Sequence, residues 1–226
     1  MSNLTTQPWD NDALLQLLGH SQLSSYMDAV GGNLPDALAL FDWNGRAGSS
    51  LIQTIGMVEL IVRNSLDEQL VLWANSRGWD SWLDCIPLDT RGVADIENAR
   101  LRAQNRGIKP VDHYSVISQL SFGFWRYLVA PRYFASLWVP QLHLAFHLGD
   151  TDLHARRIAV EERLNRLHIA RNYAAHHQPV HGRNLLRDLG AAVDIASWIS
   201  PDAGPWVAAR SMIPQVVAEK PSEVKL

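Results

Sequence analysis

Apolar residues recur every three to four positions along almost the whole chain. No run alternates apolar with polar residues long enough to suggest a sheet, so the pattern predicts helix after helix. A first helix is expected over Asn11–Val30, stopped by Gly31 and Gly32. Pro35 opens a second through Trp43, and Gly45 and Gly48 loosen the chain after it. A long helix follows from Ser50 to Ser76, with Ile52, Ile55, Val62, Leu66 and Leu70 on its apolar face. Residues 78–87, with Trp79 and Trp82, read as a loop or short turn. A more polar helix is expected over Asp89–Asn105, ended by Arg106-Gly107 and a linker at Lys109-Pro110. An apolar helix capped by Asp112 runs to Val129, and prolines break 131–149 into short pieces. The second long helix covers Thr151 to about Gln178, with Val160, Leu164, Leu167, Ala170 and Ala174 facing the core. Helices over 183–200 and 202–217 complete the set, and the polar tail 218–226 is expected to fray.

Length and composition narrow the picture. The 226 residues are 47% apolar, enough for one all-α domain over 1–226 with its core at about 35–200. A net charge of −3 argues against a protein coated in nucleic acid but permits a local basic patch. Cys85 is the single cysteine, so no internal disulfide forms, which fits a reducing cytoplasm. The start MSNLTTQPWDND lacks the basic and apolar regions of a signal peptide. The most apolar later stretch, about 125–148, is interrupted by Arg126, Arg132, His143, His147 and two prolines, a poor bilayer segment. A cytoplasmic protein without a membrane segment is expected.

The chemistry concentrates near the end of the second long helix, in Arg171-Asn172-Tyr173-Ala174-Ala175-His176, followed by His177. A permanently charged guanidinium and an imidazole that titrates near neutrality are what phosphodiester cleavage needs. At about 100° per residue, Asn165, His168, Asn172 and His176 share one narrow arc. Small hydrogen-bonding heads there suit a cleft lining or a contact face, or a solvated surface. Arg171 lies about 140° from His176 on the same helix. The two reach one phosphate only if Arg171 bends round, the last turn unwinds, or two copies face each other. RNA supplies its own nucleophile, the 2′-hydroxyl. A His can take its proton, an Arg can stabilise the developing charge, and no metal or cofactor is needed. Asn172 can orient the imidazole, and His177 is a second candidate for proton transfer.

Glu59 falls amid the apolar face of the first long helix, where a lone carboxylate is costly, so it needs a cation. Arg63 one turn on, or Arg171, serves, and that would give Arg171 a structural share. From Asp152 to Asp188, seven arginines face four acids, a local +3. This suits phosphate contact, or an ordinary charged helix surface. The i,i+4 pairs His143/His147 and His177/His181 are broken by nearby prolines or glycine and lack clustered partners, so no metal site is assigned.

Four segments together resemble the Abi-like (abortive infection) branch of the HEPN superfamily. Ala37-Leu38-Ala39-Leu40-Phe41-Asp42-Trp43-Asn44 looks like its early aromatic-Trp-Asn element. Glu59-Leu60-Ile61-Val62-Arg63-Asn64 is similar to its Glu-x-x-x-Arg-Asn helix, and Leu120-Ser121-Phe122-Gly123-Phe124-Trp125 to its Leu-Ser-Phe-Gly-x-Trp segment. Arg171-Asn172-Tyr173-Ala174-Ala175-His176-His177 resembles its Arg-Asn-x-x-Ala-His-His signature. The resemblance covers about residues 35–187. It implies a helical bundle built on two long antiparallel helices with flanking helices, usually dimeric, with the Arg and His of each subunit near the dimer cleft. It also implies a metal-independent endoribonuclease of toxin or phage-defence type, leaving a 2′,3′-cyclic phosphate. Arg171 and His176 are then catalytic, with Asn172, His177, Glu59 and Arg63 in support. His168, Asn165 and Arg183 are candidates for substrate contact. The implied partners are RNA, a second copy of the chain and an antitoxin or other regulatory protein. The alternative is a non-catalytic helical protein binding RNA or a protein partner through the same cleft. After His177 the chain departs from the family's basic-aromatic continuation, reading Gln178-Pro179-Val180-His181-Gly182-Arg183.

Overall fold

The computed structural model describes residues 8–105 and 111–222, and among them every regular element is helical. The ten α-helices are α1 (Asn11–Leu18), α2 (His20–Ala29), α3 (Leu34–Asn75), α4 (Thr90–Asn105), α5 (His113–Ile117), α6 (Phe122–Tyr127), α7 (Leu153–Ala175), α8 (Leu185–Ile199), α9 (Ala203–Arg210) and α10 (Ile213–Ala218). Short 3₁₀ and π turns fill 131–146. The expected stop at Arg106-Gly107, the linker at Lys109-Pro110 and the end of the tail lie outside the described residues.

Helix α3 is the spine. Asn33 caps it by accepting the Asp36 N–H, and Pro35 sits in its first turn. It runs unbroken for 42 residues, through the glycines expected to interrupt it. A glycine inside a helix costs about 1 kcal/mol relative to alanine. Burying Leu40, Trp43, Leu51 and Ile55 on either side of Gly45 and Gly48 returns roughly 1.5–3 kcal/mol each, so packing decides. Gly48 faces Ala174 on α7. A Cβ there would lie 3.7 Å from the Ala174 Cβ, so α3 and α7 approach closely at this point. Of the two long helices expected, α3 is the dominant one, and α7 spans 23 residues.

Other boundaries shift for local reasons. The expected helix 11–30 divides at Gly19, whose φ of 86° ends α1. The helix expected over 112–129 divides at Ser121, whose hydroxyl caps the Phe124 N–H and starts α6 afresh. Ile52 is 45% exposed, because the buried face of α3 passes instead through Leu51, Ile55, Val58, Val62, Leu66 and Leu70. The segment expected as a loop or short turn holds a 3₁₀ turn at Trp82–Asp84, in which Trp82 is fully buried and its indole N–H donates to Asp67 at 2.7 Å.

Helices α7 and α8 pack against α3 and against each other, α9 rests on α8, and α2 and α10 cover further parts of α3. The α7 positions read as core, Val160, Leu164, Leu167, Ala170 and Ala174, are all buried. Helix α6 fits between α3 and α7. No helix among the described residues is long and apolar enough to cross a membrane.

Asp67 on α3 also holds His113 at the start of α5, carboxylate oxygen to Nε2 at 2.7 Å. That hydrogen bond raises the imidazole above its ordinary range, against the opposing effect of burial, with the charges of Asp67 and Asp112 adding to the rise. A raised folded-state value means that the pair stabilises fully below the unfolded pKa of about 6.5, and the contribution is lost as pH climbs through the folded value. Thermal unfolding between about pH 6 and 8 is therefore expected to show a steeper fall in Tm for wild type than for His113→Gln. Parallel curves would contradict this.

Candidate functional site

A polar cluster lies where α3, α6 and α7 meet. From α3 comes Glu59, partly buried. Burial pushes its carboxyl above the usual carboxylate range, opposed by the positive charges of Arg171 and then Arg63 and by a hydrogen bond from the Phe122 N–H at the start of α6. Arg63, one turn along, is 9% exposed, donates Nε–H to Asn64 Oδ1 at 3.2 Å, and stacks its guanidinium 5.5 Å from the Tyr114 ring centre. Both cations that sequence reasoning offered for Glu59 act on it together.

From α7 come His168, Arg171 and Asn172, at i, i+3 and i+4, so they share a side of the helix. Asn172 Nδ2 lies 3.5 Å from His168 Nδ1. The His168 ring packs against Phe122, with centroids 6.2 Å apart, and against Gly123, where a Cβ would sit 3.2 Å from Nε2. Any larger residue at 123 would press on this imidazole. Burial and then the charges of Arg126, Arg171 and Arg91 hold His168 below its ordinary value, so it is neutral at neutral pH. Arg126 on α6 donates to the Asn165 side-chain oxygen, and its Nε is buried without a partner.

The cluster has an excess of positive charge. Arg63, Arg91, Arg126 and Arg171 act on Glu59 or His168, and Glu59 is the carboxylate among these groups. Arg63 is buried, Arg126 half-buried, and Arg91 and Arg171 are exposed, so the surplus opens to solvent where an anion can reach it, and a guanidinium fork matches the paired oxygens of a phosphate. Arg126 and Arg91 are the members that sequence reasoning missed. Both reach His168 through tertiary packing, and nothing in the local pattern marks either.

The end of α7 lies beside this cluster and is built differently. His176 is the C-cap, and His177 adopts φ 54°, the one non-glycine residue with positive φ among the described residues. Gln178 N–H returns to Tyr173 O at 2.9 Å and His177 N–H to Ala174 O at 3.2 Å, the two bonds of a Schellman stop that ordinarily uses glycine. The turn is held from outside by Gln22, which donates to the His177 carbonyl at 3.4 Å, and by Asn44, whose side chain accepts the Val180 N–H at 2.6 Å. Trp43 in turn donates to the Val216 carbonyl at 2.7 Å. The early Trp-Asn element thus fixes the turn carrying the two histidines. His177→Gly is expected to raise stability by about 1 kcal/mol by removing the left-handed strain. Denaturant unfolding checks this, and a loss of stability would show that the imidazole makes a compensating contact.

Single-chain geometry does not join Arg171 to His176. Arg171 is exposed on the side of Glu59 and His168, while His176 is exposed at the helix end and its side chain has no hydrogen bond to a described residue. The ideal winding of about 140° between them is kept, because α7 remains regular through Ala175.

The arginine surplus of 152–188 is largely consumed by structure. Arg156 donates to backbone oxygens of Asp150 and His143, and Arg157 to Val129 O and Glu161. Arg163 pairs with Asp194. Arg166 and Arg183 both hold Asp188, which is 1% exposed. Arg183, a candidate for substrate contact, is therefore also a structural cation. Among the described residues no group of three or more His, Cys, Asp or Glu is placed to hold a metal.

No protein-family model, no curated protein and no solved structure matches the chain.

Proposed function

We propose that the chain is a metal-independent endoribonuclease of the HEPN superfamily, Abi-like branch, acting on RNA as a homodimer in the cytoplasm. On this reading α3 and α7 are the two long helices of such a bundle. The observation that carries the proposal is the guanidinium surplus around Arg171, next to an exposed turn that carries His176 and His177. Arg171 binds the scissile phosphate and stabilises the charge that builds on it. One imidazole removes the 2′-hydroxyl proton, and the freed oxygen attacks phosphorus. The 5′-oxygen leaves as it is protonated, giving a 2′,3′-cyclic phosphate and a 5′-hydroxyl. His176 is assigned to proton transfer, with His177 as the second candidate. Asn172, Glu59 and Arg63 fix the guanidinium and the ring beside it. A toxin or phage-defence role, restrained by an antitoxin or other regulatory protein, belongs to the same proposal.

The distance around α7 between Arg171 and His176 supports an active site shared between two copies. It also favours a second reading, a non-catalytic HEPN-like protein that binds RNA or a protein partner through this cleft. Incubating purified protein with RNA in EDTA separates the two. The first reading expects cleavage with cyclic-phosphate ends, and toxicity on expression that His176→Ala relieves. RNA that is bound but left whole at high protein concentration supports the second.

A further inference from the structure

Helices α7 and α8 enclose an open groove of about 920 Å³ on the side of α7 away from Arg171. Its walls carry Arg163, Arg166, Arg183 and Arg187, with Ile169 on its floor. Two of these guanidiniums are fixed from beneath. Asp188, fully buried, accepts Arg166 Nη1 at 3.0 Å and Arg183 Nε and Nη2 at 3.1 and 3.0 Å. Each guanidinium has five N–H donors, so this pairing orients them and leaves others for the groove. Arg187 is exposed and lies one turn of α8 from the groove's Ala191. Tyr173 stands next in line on α7, 40% exposed, with Arg183 5.8 Å from its ring centre. By helical winding Ile169, Tyr173 and His176 fall within about 60° of one another, so this wall leads towards His176.

We propose that the α7/α8 groove is the track for a single strand of RNA flanking the scissile linkage, with Arg166, Arg183 and Arg187 on its phosphates and Tyr173 stacked on one base. The proposal rests on the nuclease reading and adds the form of the substrate. An exposed aromatic ring backed by arginine binds any base whose face is free, and a base inside a duplex has no free face. Oriented guanidiniums hold phosphates without sequence choice. The acids Glu162 and Asp194 line the groove and Asp188 lies buried beneath its arginines, which keeps the surplus small, so binding is moderate and sensitive to salt.

The test uses a fluorescent 2′-O-methyl RNA of about ten nucleotides, which lacks the nucleophile and so reports binding without cleavage. Its binding to the full chain is compared with that of a duplex of the same sequence. The single strand is expected to bind more tightly. Arg187→Glu is expected to weaken it about tenfold and to lower the salt slope by about 0.7, the value for one phosphate no longer neutralised. Tyr173→Ala is expected to weaken it about fivefold or more, with Tyr173→Phe restoring it. Arg77→Ala, in the turn just after α3, should match wild type. Both substitutions in the groove are at exposed positions, so folding is retained. If wild type cleaves RNA but these variants bind as wild type does, or the duplex binds equally well, the track is refuted and the nuclease reading stands. If wild type neither binds nor cleaves RNA, both fall.

Discussion

Arg171→Ala is expected to slow RNA cleavage by about 10²–10³-fold, the effect of removing one preorganised donor from a developing oxyanion. Arg171 is exposed and its couplings are to Glu59 and His168. Its removal leaves Glu59 with Arg63 and the Phe122 N–H, so the change in folding stability is expected to stay below about 1 kcal/mol. Arg171→Lys keeps the charge but loses the fork, and should fall between wild type and alanine. His176→Ala is expected to cost a comparable factor, about 10²–10⁴-fold, through loss of proton transfer. Single-turnover rates and Tm, measured side by side, separate a chemical role from a structural one. A large loss of Tm in Arg171→Ala, with the residual folded protein cleaving normally, would make Arg171 a structural cation only.

Asp188→Ala carries the largest expected loss of stability. The carboxylate is 1% exposed and is the shared partner of Arg166 and Arg183. Its removal leaves two neighbouring guanidiniums without the carboxylate they share. Breaking a buried pair in this way costs about 3–5 kcal/mol. The arginine side chains keep 29% and 20% exposure, so water reaches them and the lower end of that range applies. For a chain of this length, Tm falls by on the order of 10 °C. Asp188→Asn should recover part of this by keeping the acceptor oxygen. A fall in Tm of only a degree or two in Asp188→Ala would show that the arginines relax into solvent without cost.

Much of the helical layout was legible because it rests on a period of 3.6. The core face of α7 and most of the buried face of α3 follow from it. The breaks were less legible. Gly45 and Gly48 look like stops in isolation, yet the cost of a helical glycine is smaller than the burial on either side. Ser121 looks like an interior residue, yet its hydroxyl starts a new helix. In the candidate site, Glu59 was legible as a carboxylate that must meet a cation, since it lies on an apolar face. Arg91 and Arg126 were not, because they come to His168 from α4 and α6 through tertiary packing that no local spacing encodes. The arginines of 152–188 looked available for phosphate, but sequence alone does not show that Asp188 and Asp194 return against them from α8. Nor does it show that a histidine takes the left-handed position at the end of α7.

The central claim is that Arg171 and His176, on different sides of one helix, act on the same phosphodiester from two copies of the chain. Mixing the purified Arg171→Ala and His176→Ala proteins tests it most directly. Each alone is expected to be nearly inactive on RNA in EDTA. After exchange of subunits about half the dimers are mixed, each with one intact site, so the mixture should recover about a quarter of the wild-type rate. A mixture no more active than its separate components, under conditions where exchange is shown to occur, would contradict the shared site.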